Sequence, residues 1–540
     1  MPVSEDEPGA HPGSTHNGRR NRRVLLLLLL LSCGLRIAPA LWGSKLWNAQ
    51  QYAFHTDEPK LVRFVDEFPG SLQTFHDYRY PTLVPIALGA TWTAVGGLGT
   101  REEGKSLPGN DEYEAALVFG RVLLALLAAI AGGLCIWGAA RRMFGEEAAL
   151  WALAATSLMG RPVVSAALVQ IDIPAAWLMA AALLAALRWN ARGGLDLKGA
   201  VWCGVLTGLA AGAKYTAIVA GIPVACVVFA AWHAKTVTLG VALGRTIVVG
   251  VACLVALLLS VPGILYDWAA FQDSIAYEYT RKIVTSEFTW SSVWDSVAEN
   301  FPWWLLGLAL VGVVQAARAT TVKCIHVGVA LSAGLFLATS LRSFKPDYAL
   351  FLYPLVGIYA GAGIAAIRGW SPVWMGPALL LGVLVGHGHS AYVVAQRYHG
   401  DTHYRFEEWV TENLEPQELG LAPRTLRADP HSPKPVRGYP WTSAHDEPEW
   451  VVAPERCYWY AQRFFEDADW FKERMDTPAK FSVEPGKRRL AGLRERDFRW
   501  YEDVLLGMGR HFTYDLVHTL EPVSGPFDDA GLEIRIYRKR

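Results

Sequence analysis

Arg19-Arg20-Asn21-Arg22-Arg23-Val24-Leu25-Leu26-Leu27-Leu28-Leu29-Leu30-Leu31 sets four arginines directly against an unbroken apolar run. Apolar character continues through Ile37–Trp42 without the small-residue pattern that a signal peptidase cuts. A retained first membrane helix over 24–42 is therefore expected, behind a disordered cytoplasmic tail, 1–23. Comparable runs recur along the chain, Val248–Leu259 among them. Of 540 residues, 52% are hydrophobic and 19% charged, too little charge for a soluble protein of this size. The formal net charge is zero, so no nucleic-acid partner is expected.

A spanning helix needs about 20 apolar residues, fewer where the bilayer thins. Eleven segments meet this, at 24–42, 114–139, 147–167, 173–189, 199–213, 215–232, 243–265, 301–317, 324–341, 348–366 and 373–394. With the basic N-terminus in the cytoplasm, Arg141-Arg142, Arg188, Arg192, Lys198, Lys235, Arg245, Arg318, Lys323 and Arg368 all fall inside, as the positive-inside rule requires. Asp57-Glu58, Asp172, Lys214, the loop 267–300 and the tail after 395 fall outside. Were 82–98 to span as well, the acidic stretch Glu102–Glu114 would be cytoplasmic and Arg141-Arg142 outside. This segment is therefore expected in the outer interface, within a first outer loop of 43–113. The membrane part is read as 24–396. The remainder, 397–540, is rich in Asp, Glu, Arg, Pro and Trp and has no span-length apolar run. Strand-like pieces at Trp450–Ala453, Thr513–Val517 and Leu532–Tyr537, with helical patterns at Tyr404–Glu412 and Asp497–Leu506, predict a small extracytoplasmic α/β domain.

Just past the first span comes His55-Thr56-Asp57-Glu58-Pro59-Lys60. Carboxylates at a bilayer surface cost solvation energy unless something uses them, and one can act as general base on a substrate delivered by the lipid. Asp172, in Val169-Gln170-Ile171-Asp172-Ile173-Pro174, emerges on the same side, where it could equally cap the helix opening at Pro174. Lys214 follows the glycines of Gly208-Leu209-Ala210-Ala211-Gly212-Ala213, which allow close backbone approach beside an ammonium, a plausible phosphate site. Snorkelling of Lys214 to the interface is the plainer alternative. Arg79, Arg342 and Lys345 bring further cations to that side, as anion ligands or as interface anchors. Together these residue types suit transfer of a sugar from a lipid phosphate. A base takes the acceptor proton, cations hold the departing phosphate, and a greasy groove holds the lipid.

The order of these features resembles the GT-C membrane glycosyltransferases, in the branch of protein O-mannosyltransferases and bacterial aminoarabinose transferases that use polyprenyl-phosphate sugars. The residues carrying the resemblance are Thr56-Asp57-Glu58, Tyr80-Pro81, Gly120-Arg121, Arg141-Arg142-Met143-Phe144-Gly145, Asp172-Ile173-Pro174, Gly208-Leu209 with Lys214, Tyr348 with Pro354, and Asp401-Thr402 with Trp409. It implies a mostly α, multi-pass GT-C fold and an inverting transfer to an extracytoplasmic acceptor, whether protein, lipid or polysaccharide. Asp57 would be the base, Glu58 its neighbour and Lys214 a ligand of the carrier phosphate. Two positions depart from the pattern: Asp347 stands before Tyr348 where a basic residue is usual, and Arg79 precedes Pro81 by two. The implied location is a bacterial inner membrane, with the N-terminus cytoplasmic.

A transporter or lipid flippase is the main rival. It predicts charges near mid-bilayer and internal repeats, whereas the ionisable residues here collect at span ends and no repeat is visible. A non-catalytic scaffold is the second rival. His387, His389, His399 and His403 read as interfacial rather than metal-binding. No cofactor is implied, and a divalent metal is left open. Six of the seven cysteines lie in or beside apolar runs, which gives no disulfide framework. Trp290 and Trp294 are candidates for stacking on a sugar.

Overall fold

The computed structural model describes residues 14–41, 58–95, 111–193, 195–279, 300–318, 323–340, 346–370, 402–417, 419–421, 441–443, 447–454, 514–520 and 534–539, with isolated positions at 294–298 and 378–386. Helix α1 (Ser14–Leu41) leads into α2 (Glu58–Asp66), α3 (Ser71–Thr74) and α4 (Leu83–Ala94). Next come α5 (Asp111–Leu127), a π-turn (Ala128–Gly132), α6 (Gly133–Phe144), α7 (Glu146–Leu158), α8 (Gly160–Ala166), α9 (Asp172–Ala191) and α10 (Leu197–Ala213). A 3-10 turn (Tyr215–Ala220) opens α11 (Gly221–His233), followed by α12 (Leu239–Ser260), α13 (Gly263–Tyr266) and α14 (Trp268–Tyr279). Then follow α15 (Trp303–Arg318), α16 (Lys323–Ser340), a 3-10 turn (Pro346–Leu352), α17 (Tyr353–Trp370) and α18 (Thr402–Asn413).

Among the described residues six helical stretches are long and apolar enough to cross a membrane: Arg19–Leu41, Ala115–Phe144, Asp172–Ala191, Tyr215–His233, Leu239–Ser260 and Ala349–Gly369. Shorter apolar helices at Leu83–Ala94, Leu197–Ala213, Trp303–Ala317 and Lys323–Leu335 match other expected spans or the interfacial segment. The 12 residues of α4 reach about 18 Å, less than a hydrocarbon core. The expected span 373–394 lies almost wholly outside the described residues.

Two expectations need correction. The stretch 14–23, read as disordered tail, is helical, because its arginines are good helix formers that extend α1 beyond the apolar run. The stretch 147–167, read as one span, breaks at Met159, which is extended (φ −62°, ψ 116°). Pro162 is the cause. It has no N–H for the Leu158 carbonyl, and its ring would collide with that carbonyl in a continuous helix. Proline is tolerated only because a new helix starts there.

Close helix contacts depend on glycine. Gly204, Gly208 and Gly212 line one face of α10 at four-residue spacing. A Cβ at Gly204 would lie 2.4 Å from the Val249 carbonyl oxygen of α12, and one at Gly208 would lie 2.3 Å from that of Cys253. In lipid such backbone proximity replaces the hydrophobic driving force available in water. Gly208→Val is expected to destabilise the fold by about 2 kcal/mol through overpacking, read as a lower midpoint of thermal unfolding in detergent. An unchanged midpoint would refute the close α10–α12 contact. The opposite face of α12 shows Leu243, Ile247, Val251 and Leu259, as a lipid-facing surface should.

The C-terminal part forms a five-stranded sheet in the order β2-β1-β3-β5-β4. Its strands are β1 (Leu419–Leu421), β2 (Trp441–Ser443), β3 (Trp450–Pro454), β4 (Tyr514–Leu520) and β5 (Ile534–Lys539). Strand β1 pairs parallel with β2 and β3, while β5 pairs antiparallel with β3 and β4. Phe406 and Val410 of α18 pack with Leu419, Val452, Leu520 and Ile536 in its core. Three strands and this helix fall where the sequence places them, and the expected helix Asp497–Leu506 lies outside the described residues.

Candidate active site

Glu58 opens α2 and is completely buried. Arg121 of α5, equally buried, donates from Nε to Glu58 Oε1 (2.8 Å) and from Nη2 to Oε2 (2.7 Å). The backbone N–H of Val169 donates to the same Oε1 at 2.9 Å. A buried guanidinium–carboxylate fork with a third hydrogen bond is a fully used charge pair. It pins the start of α2 to the connection between α8 and α9. Leu61, Val62 and Val65 anchor the rest of α2 against Val84, Leu88 and Leu117.

Three residues beyond Val169, Asp172 begins α9. Lys214, extended between α10 and the following 3-10 turn, donates from Nζ to Asp172 Oδ1, and both residues are buried. The ammonium also lies 4.8 Å from the centre of the Phe351 ring. The start of α9 and the end of α10 thus meet at one end of the bundle. Segment 169–172 joins them to the Glu58–Arg121 fork.

The loop ahead of α4 lies alongside. Tyr215, next to Lys214, donates from its hydroxyl to the Tyr78 carbonyl at 2.9 Å. Arg79 forks onto Asp77, with 2.5 Å from Nε to Oδ1 and 2.5 Å from Nη2 to Oδ2, and its guanidinium lies 5.0 Å from the Tyr277 ring centre. Lys60 reaches Asp77 Oδ2 at 3.3 Å. Burial pushes the Asp77 carboxyl up, but hydrogen bonds and charge from Arg79 and Lys60 outweigh it and hold the group below the ordinary carboxylate range. His76 Nδ1 lies 2.5 Å from Asp267 Oδ2, and that hydrogen bond holds the Asp267 carboxyl below its ordinary range. Gly263 is required under this loop, because a Cβ there would lie 2.1 Å from the Tyr78 ring.

Of the residues singled out from sequence, Asp172 and Lys214 come together directly. Glu58 joins them through Val169, and Arg79 through Tyr78 and Tyr215. Asp57, Arg342, Lys345, Trp290, His387, His389 and His399 lie outside the described residues. Trp294 packs against Trp303, with ring centres 4.3 Å apart. Sequence reading missed Arg121 as the partner of Glu58, and Asp77 as the partner of Arg79. The signal for Arg121 was a charge inside an apolar span, a position that requires a partner.

The family profile for dolichyl-phosphate-mannose-protein mannosyltransferase matches residues 115–266, the region that holds Arg121, Asp172 and Lys214. No curated protein matches the chain in sequence. The archaeal oligosaccharyltransferase AglB from Archaeoglobus fulgidus, solved with an inhibitory peptide and a dolichol-phosphate, superposes with a TM-score of 0.52 at 11% identity, over 94% of this chain and 80% of its own. The apo form of the Archaeoglobus fulgidus oligosaccharyltransferase gives 0.51 at 11% identity, over 93% and 80%. ArnT from Cupriavidus metallidurans, bound to undecaprenyl phosphate, gives 0.47 at 13% identity, over 97% and 98%. The likeness to AglB is one of fold. With its membrane helices, the chain is an integral membrane protein whose residues 115–266 match the dolichyl-phosphate-mannose-protein mannosyltransferase profile and whose fold is similar to that of AglB.

Proposed function

We propose that this chain transfers a sugar from a polyprenyl-phosphate donor to an acceptor outside the cytoplasm, with inversion at the anomeric carbon. Asp57 takes the proton from the acceptor hydroxyl. The acceptor oxygen attacks the anomeric carbon as the bond from that carbon to the phosphate oxygen breaks. The phosphate leaves on its lipid as an anion, so no acid is needed, and Lys214 stabilises its charge. Asp172 orients the ammonium of Lys214, and Arg79, Arg342 and Lys345 add positive field around the phosphate. Glu58 holds the α2 end in place through Arg121 and Val169. In this reading the protein sits in a bacterial inner membrane with its N-terminus in the cytoplasm.

The observation that carries the proposal is the convergence on segment 169–172, where a buried acidic fork and a buried lysine–aspartate pair meet within four residues of chain. Beside it, Phe351 lies under the Lys214 ammonium and also lines an apolar crevice with Met179, Leu183, Pro223, Val329 and Leu355. These side chains put an apolar wall beside the proposed phosphate ligand.

Free polyprenyl phosphate is expected to bind the purified chain, and Lys214→Met to weaken that binding at least about tenfold, or about 1.4 kcal/mol. Titration in nanodiscs measures this, with farnesol as a control that lacks the phosphate. Equal affinity in the variant would remove Lys214 from the donor site. Mass spectrometry of glycans and glycolipids from cells with and without the gene would identify the sugar and acceptor. Identical profiles would argue against a transferase.

A further inference from the structure

We infer that Arg36 is a positioning residue for the Asp172–Lys214 pair, acting through the break in the chain at Met159. The inference rests on the proposed site only for its kinetic readout.

Arg36 lies in α1 and is 3% exposed. Among the described residues no carboxylate pairs with it. Its Nη2 donates to the Thr156 carbonyl at 3.0 Å and its Nη1 to that of Ser157 at 3.4 Å, while the Ser32 hydroxyl accepts from Nη1 at 2.6 Å. Thr156 and Ser157 belong to the last turn of α7. Pro162 stops that helix, so its final carbonyls lose their helical N–H donors. Apart from Arg161, every residue from 152 to 172 is buried, which keeps water from replacing those donors. A cation at a helix C-terminus also complements the helix dipole. Arg36 therefore makes the break tolerable inside the membrane.

From the break, the chain runs through α8 to Val169, where Glu58 holds it again, and then to Asp172. Charged side chains from α1 and α2 thus fix both ends of the connection. The group it delivers is the carboxylate that receives Lys214. Three carbonyls, those of Thr156, Ser157 and Ser32 (3.3 Å from Nη1), and the Ser32 hydroxyl suit the planar fork of arginine, and a lysine ammonium keeps the charge without the fork.

The test uses full-length protein in nanodiscs. Acylation of Lys214 by an amine-reactive ester is followed by mass spectrometry, with alkylation of the fully buried Cys203 as the control for general loosening. In Arg36→Lys, Lys214 acylation is expected to rise about tenfold as the pair opens, with Cys203 unchanged. Combined with Asp172→Asn, Arg36→Lys should add little further acylation, because both changes act on one pair. Arg36→Met serves as the second variant. Unchanged Lys214 reactivity in both variants overturns the inference. So does a parallel rise at Cys203, or failure of both variants to fold, since either makes Arg36 a general stability residue. Sugar transfer is assayed alongside, and an approximately tenfold fall in kcat is expected. Opening of the pair with unaltered transfer would uphold the role of Arg36 and count instead against Lys214 as the phosphate ligand.

Discussion

Glu58→Ala is expected to lower the free energy of unfolding by about 3–5 kcal/mol, the usual cost of stranding one member of a buried ion pair. Both partners are fully shielded from solvent, and the fork is bidentate at 2.8 and 2.7 Å. Removing the carboxylate takes both bonds of the fork from the Arg121 guanidinium and the acceptor from the Val169 N–H. Three elements loosen together: α2, α5 and the connection to α9. Glu58→Gln keeps an acceptor for Val169 and should fall between wild type and alanine. Replacing both charges, as in Glu58→Leu with Arg121→Met, should recover most of the loss, because two apolar side chains carry no uncompensated charge. Tryptophan fluorescence during thermal unfolding in nanodiscs measures all four proteins. An alanine variant as stable as wild type would show that the fork does not hold α2.

How far the sequence could be read depends on what each feature needs. Membrane helices follow from composition along a contiguous stretch, so α1, α9 and α12 are legible from apolar runs alone. Strands β3, β4 and β5 show in their β-branched and aromatic residues. Strands β1 and β2 have three residues each, too few for an alternation to register. The break at Met159 was signalled by Pro162, but apolar content does not register a missing N–H. The Asp172–Lys214 pair was half legible, since charge topology placed both groups on one side without bringing them into contact. The Glu58–Arg121 fork joins positions 63 residues apart in two different helices. Local spacing cannot find such a contact. The rule that an intramembrane charge needs a partner could have directed attention to Arg121, and to Arg36 as well, two buried charges inside expected spans that correct the reading of all ionisable residues as collecting at span ends.

Asp57→Asn is expected to cut kcat about a thousandfold while leaving stability and polyprenyl-phosphate binding close to wild type. The substitution preserves shape and removes basicity, so a solvated loop charge would tolerate it. A general base would not, because the acceptor hydroxyl would then attack still carrying its proton. The neighbouring carboxylate cannot take over. Both oxygens of Glu58 are committed to Arg121, and one also to Val169, in a site closed to solvent. The two adjacent acids should therefore fail in opposite ways, Glu58 through the fold and Asp57 through the chemical step. Donor KM should stay near wild type in Asp57→Asn, and the acidic limb of the kcat–pH profile should disappear, since the group that must be deprotonated is gone. Full activity in a folded Asp57→Asn protein would exclude Asp57 as the base. A variant that also lost thermal stability would place its carboxylate with Glu58 as a structural group.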